Sequence, residues 1–310
     1  MSVNHPVKAY QVNAFANQAA SGSPTGVVLN ADSLDPAKML AIARNLNVSH
    51  TAFLSESRRA DCAFAIRFFT PHGELKNCAH ATIAAHYFRA TKFGVESGQP
   101  TKQETSTSIQ EVWTTESNEG LVVSFRQNEI VQKGVGVEMV RRLTDALGCT
   151  SAALHPYYPV SLVSPGSFRF MVPLQSSNDV LTLRPDHVKL DQLCRAAQSI
   201  GCFVFCLTRI DQPCEAHGRM FAPTIGVNED AVNGNSSGCL GAYLMELPNG
   251  QSWGSQLQLQ VLQGHRSGHP CSVNVEAKRV GNRIETFVGG SARVVGPREV
   301  AHAGDPQSVG

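Results

Sequence analysis

The chain has 310 residues, 26 basic against 25 acidic side chains, a net charge of +1, and 42% hydrophobic against 16% charged residues. A balanced charge with no basic block gives nucleic acid and anionic membranes no electrostatic anchor, and the apolar content argues against a disordered chain. The most apolar short stretch, 201–207, is far too short to span a bilayer, and residues 1–10 show no charged segment followed by an apolar core, so the expectation is a cytoplasmic protein with no secretory signal and no membrane partner.

Residues 8–15 and 26–29 read as strands, separated by a loop in which Gly22-Ser23-Pro24 signals a turn. Asp35-Pro36 opens a helix running to about Leu46: Asp caps, Pro takes the first turn, and Met39, Leu40, Ile42, Ala43 and Leu46 form an apolar stripe. Residues 47–54 leave that helix and enter a strand, and 62–69 alternate as another. A helix is expected over about 79–90, an exposed polar loop over 93–110, and paired strands at 111–115 and 121–127. A domain seam is expected near 128–136. Beyond it come a helix at 137–147, strands at 157–163 and 169–173, a helix at 190–199 and a buried strand at 202–208. Residues 217–222 lead to a helix at about 236–246, strands at 256–263, 271–278, 283–288 and 292–295 follow, and 304–310 reads as a frayed tail. Each half thus runs strands and a helix, then a strand, then a second helix and more strands. That order points to two halves of similar design, without a residue-level repeat.

Two stretches carry the chemistry. Asn77-Cys78-Ala79-His80-Ala81-Thr82 and 229–238 each place polar, ionisable or small residues just before an apolar, helix-compatible run. A helix start has free N–H groups and the positive end of a dipole, so two such starts directed at one cleft would grip a carboxylate and surround it with proton-transfer groups. A thiol at such a position has a depressed pKa, which makes Cys78 a base or nucleophile; the plainer alternative is a small buried Cys beside a capping His. Asp230 is a general acid/base or a turn residue. His50 sits at a helix-to-strand junction, where a lone histidine is more often structural. Nine scattered cysteines without a C-x-x-C pair read as reduced, mostly buried thiols. The histidines show no H-E-x-x-H spacing, so no metal is expected; no G-x-G-x-x-G, G-x-x-x-x-G-K-S/T or G-x-S-x-G occurs, which disfavours nucleotide cofactors and nucleophile-elbow hydrolases.

Further pieces are spread end to end: Val12-Asn13-Ala14-Phe15, Gly22-Ser23-Pro24-Thr25-Gly26, Ala41-Ile42-Ala43-Arg44-Asn45-Leu46, Ser49-His50-Thr51-Ala52-Phe53, Ile66-Arg67-Phe68-Phe69-Thr70-Pro71, Cys78-Ala79-His80-Ala81-Thr82, Arg219-Met220-Phe221-Ala222-Pro223, Gly226-Val227-Asn228-Glu229-Asp230, Gln263-Gly264 and Val288-Gly289-Gly290. With these the sequence resembles the phenazine biosynthesis PhzF-like family, relatives of diaminopimelate epimerase and proline racemase. The resemblance implies an α+β fold of two pseudo-symmetric domains, each a nearly closed, mostly antiparallel sheet around a central helix. Residues 1–130 would form the first half and 131–284 the second, with a strand within 285–300 rejoining the first and 301–310 a flexible tail. It also implies a cofactor-free homodimer with its active site in the interdomain cleft. The chain departs from the family at several positions. His50 stands where the isomerases carry the Glu that shuttles the proton, and Ala79 where they carry Gly. The motif D-P-x-T-G-S becomes Asp230-Ala231-Val232-Asn233-Gly234-Asn235. The position of the second racemase cysteine is Asn233, so a symmetric two-thiol mechanism is not available.

The expected activity is an isomerase or epimerase that moves a proton at a carbon next to a carboxylate or carbonyl of a small metabolite. Asp230, His50 and Cys78 are the acid/base candidates; an unperturbed histidine titrates at about 6.5, suited to proton transfer near neutrality. His80, Ala79, Ser49, Ser23, Gly234, Asn235 and Ser236 are the expected substrate-binding positions. The alternatives are a cyclisation or elimination using the same groups, or a silent relative that only binds a small metabolite or protein partner.

Overall fold

The computed structural model describes residues 7–17, 21–94, 99–117, 120–247 and 253–300; the expected tail at 304–310 lies outside them. In chain order the elements are β1 (Lys8–Ala14), β2 (Ser23–Leu29), α1 (Pro36–Leu46), β3 (His50–Ser55), β4 (Phe64–Thr70), β5 (Gly73–Leu75), α2 (Ala79–Phe93), β6 (Thr101–Glu104), β7 (Ile109–Ser117) and β8 (Gly120–Arg126). They continue with β9 (Val131–Gly134), α3 (Val137–Leu147), β10 (Ser161–Ser164), β11 (Phe168–Pro173), α4 (Ser177–Thr182), α5 (His187–Ala196), β12 (Ser199–Arg209), β13 (Cys214–Ala222) and β14 (Val227–Asp230). The last are α6 (Gly234–Glu246), β15 (Gln256–Gln263), β16 (Cys271–Val280), β17 (Arg283–Gly290) and β18 (Ala292–Arg298). The chain divides into two units: Met1–Phe125 with Gly290–Gly310, and Arg126–Gly289.

In the first unit β18 pairs antiparallel with β1, Ala292 opposite Ala14, and β1 pairs antiparallel with β2. The β2–β3 and β4–β6 pairs are parallel, while β3–β4, β6–β7 and β7–β8 are antiparallel. The parallel β2–β3 step needs a crossover, and α1 supplies it. Asp35 caps α1 by accepting from the Lys38 N–H at 2.8 Å, Pro36 occupies the first turn, and Asn47 ends the helix in the left-handed region at φ 49°. Met39, Ile42 and Ala43 of α1 pack on Val28, Phe53 and Phe69 on one face of the sheet. The helix α2 packs against β1, β2, β3, β7 and β18, and is buried on most sides, at Ala81, Ile83, Ala84, Ala85 and Phe88 among others. A helix apolar nearly all round belongs in an interior, and its alanines let the strands come close.

The second unit repeats this plan. β9–β10, β10–β11, β12–β13, β15–β16 and β16–β17 are antiparallel, and β11–β12 and β13–β15 parallel. Helices α3, α4 and α5 cover one face through Leu143, Leu147, Val180, Leu190 and Leu193, packed on Phe170, Val172 and Val204. Helix α6 packs against β10, β15 and β16. It is buried almost throughout, and Gly241 approaches β16 so closely that a Cβ there would lie 2.7 Å from Val275 Cγ1. The mixed α+β class and the sheet-wrapped helices expected from the sequence are present in each unit.

Some elements differ from the sequence reading. The stretch 93–110, expected as a loop, contains β6. Its sequence Thr-Lys-Gln-Glu is polar, yet Gln103 is fully buried, so hydrophobic alternation could not reveal it. The Gln103 amide donates to Gln110 Oε1 at 2.7 Å, leaving its Oε1 to accept from His86 Nε2 at 2.9 Å. Helix α5 starts three residues early, at His187 instead of Leu190, because Asp186 accepts from the Val188 and Lys189 N–H groups.

His86 gives a pH prediction for the fold. Burial lowers its pKa to about 4, against about 6.5 unfolded. Between those values the unfolded chain binds the extra proton, so His86 contributes stability that is fully present above about pH 6.5 and is lost as pH falls towards 4. His86→Gln, which can still donate to Gln103, should flatten the dependence of urea midpoint on pH over that window. An unchanged slope would exclude His86 as a source of the acid sensitivity.

Candidate active site

The first cluster is assembled where β3 begins and α2 begins. After α1 stops at Asn47, the chain enters β3 with His50 opposite Thr25 of β2. Ser49, just before, is exposed and donates its Oγ to Pro24 O at 3.2 Å. Ser23, the first residue of β2, is buried. Cys78 is the N-cap residue of α2 in an extended conformation (φ −156°, ψ 114°), its carbonyl accepting from Thr82 N–H at 3.0 Å. Ala79 and His80 fill the first turn, so His80 lies within the helix and does not cap it. The His50 and His80 rings stack with centroids 4.5 Å apart and planes 18° from parallel, and Phe15 meets His80 edge-on at 5.8 Å. The ligand-type atoms of His50, Cys78 and His80 all lie within 4.8 Å of one another. Residues 28 apart in sequence are thereby gathered into one cluster whose Cys78 and His80 are buried and whose His50 is half-buried. Burial lowers the His80 pKa to about 4, so its imidazole is neutral at pH 7 and keeps one N–H donor and one acceptor nitrogen.

The second cluster is assembled at the start of α6. Strand β14 ends in Asp230, opposite Met220 of β13. Asn233 caps α6: its Oδ1 accepts from the Ser236 N–H at 2.9 Å and its Nδ2 donates to Asp230 Oδ2 at 3.0 Å. One side chain therefore fixes both the helix start and the carboxylate. Gln263 holds Asn233 in turn, accepting from its N–H at 2.9 Å and donating to Ser237 Oγ at 2.8 Å. Gly264 must be glycine: at φ 77° any Cβ would lie 2.1 Å from His269 O and 2.9 Å from Ala231 O. Gln127 donates to both the carbonyl and the side-chain oxygen of Asn235, each at 3.2 Å. Behind Asp230, Arg219 forks onto Glu229 with two 2.8 Å hydrogen bonds.

These contacts refine the expected binding groups. The Ser236 N–H is taken by Asn233, and Ser236 is fully buried with its Oγ on Met220 Sδ, so it has no donor to offer a ligand. Gly234 and Asn235 supply the first N–H groups of α6. The sequence reading assigned no role to Asn233, Gln127 or Gln263. The signal for Asn233 was present, an Asn three residues before Ser236, which is the spacing of an N-cap. Gln127 and Gln263 come from distant strands and leave no local signal.

The PhzC-PhzF family, described as phenazine biosynthesis-like protein, matches residues 12–296. The chain belongs to this family. An uncharacterised isomerase of Clostridium acetobutylicum is 35% identical over 289 residues, covering 92% of this chain and 95% of that protein. The uncharacterised isomerase YddE of Escherichia coli is 36% identical over 272 residues, with 86% and 88% covered. Among solved structures, the PhzF-family protein of Bacillus anthracis superposes with a TM-score of 0.85 at 24% identity, over 95% of this chain and 98% of that one. A probable proline racemase of Agrobacterium radiobacter, with bound carbonate, reaches 0.60 at 13% identity, over 98% and 95%. The PhzF and racemase-like fold expected from the sequence is thus the fold of this chain, and the expected isomerase class holds at the level of the PhzF family. Among the described residues no helix is long and apolar enough to cross a membrane.

Proposed function

We propose that this PhzF-family member is a cofactor-independent isomerase or epimerase that moves a proton at a carbon next to a carboxylate or carbonyl of a small metabolite. The observation that carries the reading is the gathering of His50, Cys78 and His80 at the start of a buried helix. A C–H beside a carboxylate or carbonyl is weakly acidic, so catalysis needs a placed base, a placed acid and donors for the enolate-like charge. Asp230, His50 and Cys78 are the proton-transfer groups. Neutral His80 and the N–H groups of Gly234 and Asn235 hold the substrate's oxygens. Asn233 donates to Asp230 Oδ2 and so orients the carboxylate that would carry the proton. Ser23, Ser49 and Ala79 shape the approach to His50 and Cys78. The reading requires the groups of both helix starts to reach one substrate, and the acting species is proposed to be a homodimer.

Incubation with candidate carboxylates in heavy water tests this. The expected result is deuterium at a single carbon next to the carboxylate or carbonyl, seen by NMR and absent without protein. A ligand that binds tightly yet never exchanges would leave the chain a binder and not an isomerase.

A further inference from the structure

We infer that Gln127 is a positioning residue for the proposed reaction: it holds the Asn235 side-chain amide in the one orientation that presents Nδ2 as a donor at the start of α6, so that position 235 selects a substrate oxygen that accepts. That Asn235 meets a substrate rests on the isomerase reading above; its orientation follows from the hydrogen bonds alone. Gln127 comes directly after β8, and its N–H donates to Thr286 O of β17 at 2.9 Å. Its side chain lies between Thr286 and Asn235. At one end Thr286 Oγ1 donates to Gln127 Oε1 at 3.0 Å; at the other, Nε2 donates to Asn235 O and Asn235 Oδ1, each at 3.2 Å. A backbone carbonyl can only accept, so the end of Gln127 that faces Asn235 O is its NH2 group. That group can only donate, so the Asn235 side chain must turn its oxygen towards it. Nδ2 then points away from Gln127. It meets no acceptor among the described residues, and Asn235 is half-buried.

The packing leaves room for this contact and little else. Gly238 sits one turn on from Asn235, and a Cβ there would lie 1.8 Å from Gln127 Oε1 and 2.7 Å from Val288 Cγ2. Glycine is costly inside a helix, and here it vacates the space that the Gln127 amide fills. With the Gln127 bonds in place, the start of α6 offers the Gly234 and Asn235 N–H groups and Asn235 Nδ2, all of them donors. A set of donors at the positive end of a helix suits an ionised carboxylate and turns away an ammonium group, which brings donors only. Without Gln127 the Asn235 amide is free to turn over and offer Oδ1 to the same place, where it would repel a carboxylate.

Gln127→Met keeps the length and neutrality of the side chain and removes its amide. In the full chain, the carboxylate that exchanges in heavy water should bind this variant about three- to tenfold more weakly, the range of one lost hydrogen bond, while exchange at saturation stays within about twofold of the wild type. In an Asn235→Ala background the same change should cost no further affinity, because Gln127 acts through that amide. A Gln127 that only supports the fold would weaken binding equally in both backgrounds. Acetate titration of the isotope-labelled, unmodified protein, followed by NMR, needs neither turnover nor a variant: the Asn235 side-chain NH2 signals should shift saturably, and less so in Gln127→Met. Full affinity in folded Gln127→Met, equal losses with and without Asn235, or Asn235 signals that acetate leaves unmoved overturns the role of Gln127. If no carboxylate exchanges at all, it is the isomerase reading that fails, and the acetate titration alone decides the orientation of Asn235.

Discussion

Asp230→Asn should slow proton exchange by about 10²–10⁴-fold, the range a placed acid or base supplies, with little change in ligand affinity. The amide keeps the shape of the carboxylate and can still accept from Asn233 Nδ2, so the α6 start should stay intact and the loss should report chemistry. His50→Ala should fall in the same range of about 10²–10⁴-fold. The double variant should cost less than the product of the two, because groups that act as a unit are non-additive. Steady-state exchange rates and equilibrium binding of the same carboxylate, measured on all three variants, separate the two effects. His50→Glu is the sharper change. It introduces the carboxylate that the resemblance leads one to expect at this position, and replaces an imidazole, which can offer both a donor and an acceptor nitrogen, by a group that only accepts when ionised. Full activity should not return on this protein's own substrate. If His50→Ala keeps wild-type turnover, His50 is structural and the proton work falls to Asp230 with Cys78.

The parts of this site that the sequence reveals are those set by local chemistry. Asp35-Pro36 announces α1, the Ala-rich run after Cys78 announces a buried helix, and both helix starts stand out by composition because small and polar residues precede apolar ones. Those rules act over three or four residues, and that is the span over which they can be read. The His50–His80 stack is different. It depends on the parallel β2–β3 pairing that brings the start of β3 to the start of α2, which no local pattern encodes. Strand β6 was hidden for another reason: its buried polar Gln103 is stabilised by a side-chain network and not by apolar alternation. At the second helix start the composition is legible, but which N–H the cap takes is not: the Asn233 side chain accepts from the Ser236 N–H.

Arg219→Ala should destabilise the second unit by about 3–5 kcal/mol, the cost of breaking a buried ion pair by removing one partner. The Arg219 side chain is only 6% exposed, so its end of the pair is out of reach of water, while Glu229 at 27% keeps partial access. The guanidinium does more than pair. Its Nη1 donates to Val180 O at 2.8 Å and Leu183 O at 3.2 Å, satisfying carbonyls at the end of α4, and its plane lies 4.7 Å over the Phe221 ring. Truncation therefore orphans a carboxylate and two carbonyls together. Arg219→Lys keeps the charge but not the fork, and should recover only part of the loss. Replacing Glu229 by Gln as well should not restore stability, since the α4 carbonyls stay unpaired; urea unfolding of the single and double variants gives the coupling directly. Because Glu229 immediately precedes Asp230 on β14, the same change should speed amide hydrogen exchange over 227–238 and weaken ligand binding. That separates it from Asp230→Asn, which should leave binding nearly intact. If Arg219→Ala unfolds within about 1 kcal/mol of the wild type, the pair behaves like an exposed surface ion pair. The position of Asp230 would then owe little to the Arg219–Glu229 pair and more to the Asn233 contact and the β13–β14 pairing.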